Sequence, residues 1–411
     1  MELKNETLMK TRWLYLILGL VLMLFLGLIY AWSVFRGPLE AEFGWSASQL
    51  SVTFSISMMM FCLGGLAGGI ITARKGYRLT YILCALCLAA GFILASRINT
   101  LMGIYLTYGV LCGLGVGLGY NVTISTVVKW FPDRQGLVSG VTLMGFGFGG
   151  MILGTAGAKM IDTIGWRTTF FIFGIAFAVI ILLCMMLIRI APQEFVSSLS
   201  EGKSNVKPSV EELTPGQTLK RRNFWVYYGW TVVFGSAGLS IINSATPFAQ
   251  TILGDDLTRA AAVAGIVSIF NGAGRVVGGL TFDKFGFRPT MLAADVLFGA
   301  SAFALIGCYT SGSYILLVIA FVLIGLSYGF IPPTSSAYVA YFFGRENYGT
   351  NFAIVNLNLL ISSYLGPLCG GGDYMRTFYF IIGFTIIGFV LTLAIKKPAG
   401  QEGGSEHEDR T

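Results

Sequence analysis

The chain has little charge and almost no histidine. Of its 411 residues, 11% are charged and 55% are hydrophobic, whereas a soluble domain has roughly 25% charged residues. This composition excludes a soluble protein. The one histidine, His407, lies in a polar tail, so no serine or cysteine nucleophile in the apolar segments has a histidine base, which argues against a hydrolase. The absence of a P-loop excludes transport powered by the chain's own ATP hydrolysis, and we expect no enzyme.

Metal- and cofactor-binding patterns are missing as well. The seven cysteines lie inside apolar segments at spacings that match no zinc or disulfide pattern. GFGFGG from Gly145 formally fits a dinucleotide-binding motif, and GLGVGLG from Gly113 looks like a nucleotide-binding loop. Both lie within lipid-length helices and neither joins a strand to a helix, so we interpret these glycines as helix-packing residues. We therefore expect no cofactor and no metal.

Long apolar segments fill most of the chain and predict an all-α membrane protein. Twelve are long enough to cross a hydrocarbon core of about 30 Å as helices. They lie at 14–36, 48–72, 79–97, 101–128, 137–160, 168–190, 225–250, 260–282, 289–308, 313–340, 349–370 and 376–395. We predict two six-helix bundles at 14–190 and 225–395, a linker at 191–224, an N-terminal segment at 1–13 and a disordered tail at 396–411.

The distribution of basic residues predicts the orientation in the membrane. The first apolar segment is too long for a signal peptide and lacks a small-residue cleavage site, so we interpret it as a retained helix. Cations concentrate in the linker and in alternate loops, namely Arg74, Lys75, Arg78, Lys129, Arg134, Lys284, Arg288 and Arg345. By the positive-inside rule, both termini and the linker are cytoplasmic. We expect a bacterial cytoplasmic (inner) membrane and a monomer, with no nucleic-acid partner.

The two halves are internal repeats. GIITARKGYR from Gly69 recurs as GLTFDKFGFR from Gly279 at an offset of 210, and WFPDRQG from Trp130 corresponds to YFFGREN from Tyr341. This arrangement, over residues 13–395, resembles the major facilitator superfamily. The resemblance implies a short cytoplasmic hairpin whose Asp and Arg tie it to a neighbouring helix in one transport state. The matching residues are Gly69, Gly76, Arg78, Asp283, Gly286 and Arg288, and Ala73 stands where the family usually has Asp.

Arg275 is the unusual residue of the eighth apolar segment. It lies eight residues before Asp283, roughly 12 Å above the cytoplasmic end of its helix, where a cation should face a water-filled cavity or a partner. One hypothesis is an ion pair with Asp295, the acid well inside the ninth segment. The other is a transported anion, since a guanidinium favours a carboxylate in bidentate geometry. Asn271, one turn earlier, can hydrogen bond but cannot neutralise the charge.

Further polar aromatic residues lie at comparable depth in corresponding helices. Tyr120 and Asn121 lie in the fourth segment and Tyr328 in the tenth. We interpret them as lining a central cavity, with ordinary aromatic packing as the alternative for each tyrosine. Tyr30 in the first segment is compatible with the same cavity or with an interfacial aromatic belt.

A narrower resemblance rests on LIYAWSVF at 28–35, NGAGR at 271–275, WFPDRQG at 130–136, SYGFIPPTSS at 327–336 and RENYG at 345–349. Together these segments are similar to the oxalate/formate antiporter family, a branch of the monocarboxylate porters. The resemblance implies that Arg275 holds a substrate carboxylate and that Tyr120 and Tyr328 line the site. The antiporter after which the family is named balances a dicarboxylate with a second cation, a lysine, and Val355 occupies that position here.

These observations predict a secondary transporter of small organic monocarboxylates such as lactate, pyruvate or formate, working by alternating access. One cation balances one carboxylate, and a second buried negative charge would cost several kcal/mol. Proton coupling, through Asp295 or through a proton carried with the anion, is the expected energy source, with anion exchange, including oxalate exchange, as the alternative. Asn351, Asn356 and Asn358 could donate to a hydroxyl or keto oxygen, or serve helix packing. A membrane sensor built on a transporter scaffold is the alternative from another class.

Overall fold

A computed structural model describes residues 2–200, 212–254, 257–370 and 373–396, and within these ranges it contains helices and no β-strand. The predicted disordered tail from residue 397 onward, with His407, lies outside the described residues. The α-helices in chain order are α1 Glu2–Leu26, α2 Trp32–Phe43, α3 Ala47–Lys75, α4 Tyr77–Ala95, α5 Leu101–Ile104, α6 Gly113–Val128, α7 Gln135–Leu187, α8 Gln193–Ser200, α9 Pro215–Thr218, α10 Arg222–Leu253, α11 Leu257–Phe285, α12 Phe287–Ser311, α13 Tyr314–Phe343, α14 Tyr348–Asn356, α15 Asn358–Gly370 and α16 Tyr374–Ala394.

The all-α, twelve-span prediction is confirmed, although several spans are built from more than one helical segment. A 3₁₀ turn over Gly27–Ala31 joins α1 to α2, and a π-helical segment over Tyr105–Cys112 joins α5 to α6. The long α7 contains two spans, because Gly165 has φ 77° and ψ 159° and turns the chain between them. Such a backbone conformation strongly favours glycine.

The eleventh span is interrupted rather than continuous. It consists of α14 and α15, separated at Leu357, whose N–H bonds to the Ile354 carbonyl at 3.2 Å in a tight turn. Ten other stretches of described residues are long and apolar enough to cross a membrane by themselves, with α7 counted once. Counting the two halves of α7 separately and adding the interrupted span gives twelve.

The chain forms two compact units. Unit 1 comprises Met1–Asp133, Val141–Gly202 and Phe352–Leu357, and unit 2 comprises Arg134–Gly140, Lys203–Asn351 and Asn358–Thr411. In unit 1, α3 packs on α6 and on the π-helical segment, and α4 packs on α6. In unit 2, α13 packs on α11 and α12, while α10 contacts α11, α13, α15 and α16. Each unit therefore has its own helical core.

The linker is partly helical where the structure describes it. It contains α8 and α9, and Phe195 of α8 is buried against the Trp130 ring, with centroids 5.8 Å apart. Residues 201–211, for which the sequence predicts a flexible tether, lie outside the described residues.

Candidate functional site

Arg275 lies well inside α11 and is buried, with 4% of its surface exposed. Its Nε donates a hydrogen bond to Oδ1 of Asn271, one helical turn earlier, at 3.4 Å. The i, i+4 spacing places both side chains on one face of the helix. The Asn271 amide thus accepts from the guanidinium and contributes no charge of its own.

Close packing of α13 on α11 fixes the position of Arg275. A Cβ at Gly329 would lie 2.8 Å from Gly274 Cα and 3.0 Å from the Arg275 backbone nitrogen. A side chain at 329 would therefore separate the two helices at this level. Because Tyr328 precedes Gly329, its backbone lies at the same depth as Arg275, as the sequence predicts.

The ring of Tyr328 lies against α10. A Cβ built at Gly238 would overlap the ring at Cδ2 and would approach Cγ and Cε2 to 2.8 Å. Tyr328 itself is half-buried. In unit 2, Arg275 is thus hydrogen-bonded to Asn271, and Tyr328 is next in sequence to Gly329, which packs on the Arg275 backbone. The ring of Tyr328 lies on Gly238, a residue that the sequence did not indicate.

Tyr120 of unit 1 lies in an aromatic cluster. Its ring contacts Phe61 at 5.1 Å and Phe146 at 5.0 Å in edge-to-face geometry, and it lies nearly parallel to Phe352, with centroids 6.2 Å apart. Tyr120 is 7% exposed and Tyr30, which packs on Phe146 at 5.2 Å, is 42% exposed. The sequence indicated the two tyrosines as candidate site residues, but it did not indicate that phenylalanines from three other helices would surround Tyr120.

The predicted site residue Asn121 and Val355, which occupies the position of the family's lysine, are both buried. Asn121 is 1% exposed and lies beside Tyr120 on α6, and Val355 is fully buried in unit 1. An apolar side chain therefore occupies the position where the family resemblance places a lysine. Asn351 donates from Nδ2 to the Leu213 carbonyl at 3.1 Å, which commits its amide to the linker.

Asp295 is held by neutral donors. It is fully buried in α12, where Oδ1 accepts from Trp230 Nε1 of α10 and Oδ2 accepts from the Thr392 hydroxyl of α16, each at 2.8 Å. Both carboxylate oxygens are thus directed to α10 and α16, and the ion pair with Arg275 considered above is not formed. Burial of a carboxyl among neutral donors is unusual at membrane depth, where ionisable groups mark functional or structural polar networks.

The C-terminal hairpin binds the start of α7. Oδ1 and Oδ2 of Asp283 accept from the backbone N–H groups of Gly136 and Leu137 at 2.7 and 2.8 Å, all within unit 2. The carboxylate therefore caps a helix N-terminus, where orphan donors and the helix dipole favour negative charge. Gly286, with φ 81°, makes the turn, and Arg288 donates to the backbone carbonyl that follows α16 at 2.8 Å.

The N-terminal hairpin has the same turn without the acid. Gly76 has φ 88° between α3 and α4, and Gly69 is buried in α3. Arg78 donates from Nε to the hydroxyl of Tyr77 at 3.3 Å. Ala73, the counterpart of Asp283, has no carboxylate to cap a helix.

A linker acid, Glu212, caps the loop before α14. Glu212 Oε2 accepts from the backbone N–H groups of Arg345 and Glu346, each at 2.7 Å, just before α14. The next residue, Leu213, donates from its N–H to the Phe343 carbonyl at 3.0 Å. By the repeat offset, residues 345–346 correspond to the region 134–135, immediately before the N–H groups that Asp283 binds. No motif in the linker sequence signals this contact.

Known proteins place this architecture in a family. The Major Facilitator Superfamily model matches residues 16–367 and 232–410, so the chain belongs to the Major Facilitator Superfamily. It is accordingly a transporter-family protein and an integral, multi-pass membrane protein.

Several relatives and solved structures are similar over most of the chain. The oxalate:formate antiporter of Oxalobacter formigenes is 27% identical over 402 residues, covering 94% of this chain and 92% of that protein. The uncharacterized MFS-type transporter YhjX of Escherichia coli (strain K12) is 27% identical, with 86% of each chain covered. Rat (Rattus norvegicus) monocarboxylate transporter 4 is 24% identical over 82% of this chain and 72% of its own. The proton:xylose symporter XylE has the same fold, with a TM-score of 0.71 at 16% identity and 95% of both chains covered.

Proposed function

We propose that this protein is a secondary active transporter of small organic monocarboxylates, of the size of formate, lactate and pyruvate, working by alternating access. The observation that carries the proposal is the buried guanidinium of Arg275, oriented by a neutral amide at membrane depth. Charge at this depth is costly and marks sites of function. A planar guanidinium matches a carboxylate in geometry and charge, so an organic anion is the substrate class that this residue favours.

The neighbouring residues support a substrate with one carboxylate and a short carbon chain. In this proposal Tyr328 and Tyr120 supply hydroxyl donors and aromatic surface, and Asn271 keeps the guanidinium in place. Asn121 and Tyr30 are the more peripheral members of the proposed site. The buried Val355 offers no second cation, and the second charge of oxalate would cost several kcal/mol to bury.

For the energy source we propose proton coupling, with Asp295 as the residue that carries the proton. Its carboxyl is the fully buried acid of α12. The Thr392 hydroxyl can donate to the carboxylate or accept from the protonated carboxyl, and Trp230 donates to the other oxygen in either state. Anion exchange is the second candidate, and the antiporter relative that covers 94% of the chain favours it. We further propose a monomer in a bacterial cytoplasmic membrane with both termini in the cytoplasm, in line with the positive-inside rule.

Uptake into proteoliposomes tests the proposal. Radiolabelled lactate, formate and oxalate are compared with and without an inward proton gradient for the wild type, Arg275→Gln and Asp295→Asn. Arg97→Gln is the matched control, because it removes the same charge from an exposed position at the end of α4.

The expected result is saturable lactate and formate uptake that Arg275→Gln abolishes and Arg97→Gln preserves. Asp295→Asn is expected to keep exchange of internal for external lactate while losing accumulation driven by the gradient. Oxalate exchange that persists in Arg275→Gln would contradict the anion-binding role of Arg275. Accumulation that persists in Asp295→Asn would contradict the coupling role of Asp295.

A further inference from the structure

Position 238 of α10 has room for a hydrogen atom and for nothing larger. The three atoms nearest to a Cβ built at Gly238 all belong to the Tyr328 ring, and Cγ and Cε2 would lie at 2.8 Å. Carbon atoms in favourable contact are about 3.5–4.0 Å apart. A methyl group at 238 would therefore displace the ring by more than about 0.7 Å. Gly238 therefore determines how closely the Tyr328 ring can approach α10.

The packing of α13 against α11 limits the movement of the α13 backbone. Gly329 is packed on Gly274 and on the Arg275 backbone, so the α13 backbone cannot move toward α11 to accommodate a larger residue at 238. A displaced Tyr328 ring must instead rotate away from α10. The position of the ring thus depends on the absence of a side chain at 238.

We infer that Gly238 is a positioning residue. By allowing the Tyr328 ring to pack directly on α10, it determines the chain length of the carboxylic acid that the site accepts. The inference rests on the proposed function, in which the carboxylate binds at Arg275. In that proposed site Tyr328 lines the space for the carbon chain of the acid, and with glycine at 238 this space takes a three-carbon acid. With alanine, the ring encroaches on that space, and formate is favoured over lactate.

The test is a double-mutant cycle on KM for lactate and for formate in proteoliposomes, with Gly238→Ala, Tyr328→Ala and the double variant. Gly238→Ala is expected to raise the lactate-to-formate KM ratio by about tenfold, the discrimination typical of one or two carbon atoms in a tight pocket. Gly265→Ala on α11 is the matched control, because a Cβ there meets nothing within 4 Å, and its KM ratio is expected to equal that of the wild type.

The double variant separates positioning from damage to the fold. If Gly238 acts through the ring, Gly238→Ala changes the KM ratio in the wild type and leaves it unchanged in the Tyr328→Ala background. Thermal unfolding should show the same coupling, with Gly238→Ala lowering the midpoint in the wild-type background and leaving it unchanged in the Tyr328→Ala background. A poorly folded single variant therefore still reports on the contact. Equal effects in both backgrounds, or an unchanged ratio with wild-type flux intact, would overturn the role of Gly238 alone. A wild type that carries neither acid would refute the proposed function, and the inference with it.

Discussion

Asn271→Asp is expected to weaken monocarboxylate binding and to make it depend on pH. The substitution keeps the shape of the side chain and places a negative charge where the amide oxygen now accepts from Arg275 at 3.4 Å. Opposite unit charges about 4 Å apart interact by about 4 kcal/mol at an effective dielectric constant of 20. Asn271 is half-buried, so we take about half of this value, roughly 2 kcal/mol, which corresponds to an increase in KM of about 30-fold.

The effect of Asn271→Asp on lactate binding should depend on pH, because the introduced carboxyl can be protonated. As the pH falls, the introduced carboxyl takes up a proton, becomes as neutral as the native amide and stops competing with the substrate for the guanidinium. Lactate binding by Asn271→Asp should therefore recover toward the wild-type value at low pH and be weakest at high pH.

Equilibrium exchange of labelled lactate, with equal pH on both sides of the membrane, measures this effect without a driving force. Asn99→Asp is the matched control, because Asn99 Oδ1 also accepts from an arginine, Arg167, at 3.0 Å but in an exposed position. An Asn271→Asp variant that binds lactate like the wild type, or loses binding equally at every pH, would refute the competition on which this reasoning depends.

Two contacts at the ends of the helices give further predictions. Asp283→Asn is expected to cost about 1–3 kcal/mol of stability and to lower the midpoint of thermal unfolding, because one amide oxygen replaces two carboxylate oxygens that each accept a backbone N–H. Asp162→Asn, at an exposed position, is the control. Equal unfolding midpoints for Asp283→Asn and the wild type would contradict the capping role of Asp283. Glu212→Ala is expected to make trypsin cleavage after Arg345 roughly tenfold faster, which corresponds to the loss of one charge-assisted hydrogen bond. Glu194→Ala in α8 is the control. An unchanged cleavage rate in Glu212→Ala would contradict this prediction.

The spans could be predicted from the sequence because hydropathy and length decide whether a segment can cross a bilayer, and neither requires a partner. Arg275 was recognisable for the same reason, since a cation is conspicuous in an apolar segment. Its link to Asn271 was also predictable, because i, i+4 neighbours share a helix face whatever surrounds them.

Contacts between distant residues could not be predicted in the same way. Asp295 meets Trp230 and Thr392 across 65 and 97 residues of sequence, and the direction in which its carboxyl points depends on how α10, α12 and α16 pack. Gly238 looks like any small residue in a membrane helix, and only the packed structure shows which ring lies over it. The break at Leu357 has no proline or glycine to announce it.

The Glu212 contact has a consequence for engineering. A linker residue, Glu212, caps the loop before α14 by accepting from the N–H groups of Arg345 and Glu346. The linker in turn loses part of the freedom that a simple connector has, because Glu212 and Leu213 are bonded to unit 2. A fluorescent protein or affinity tag inserted on the N-terminal side of Glu212 would leave the connection from this contact to α10 at its present length, whereas the same insertion between Leu213 and α10 would lengthen it.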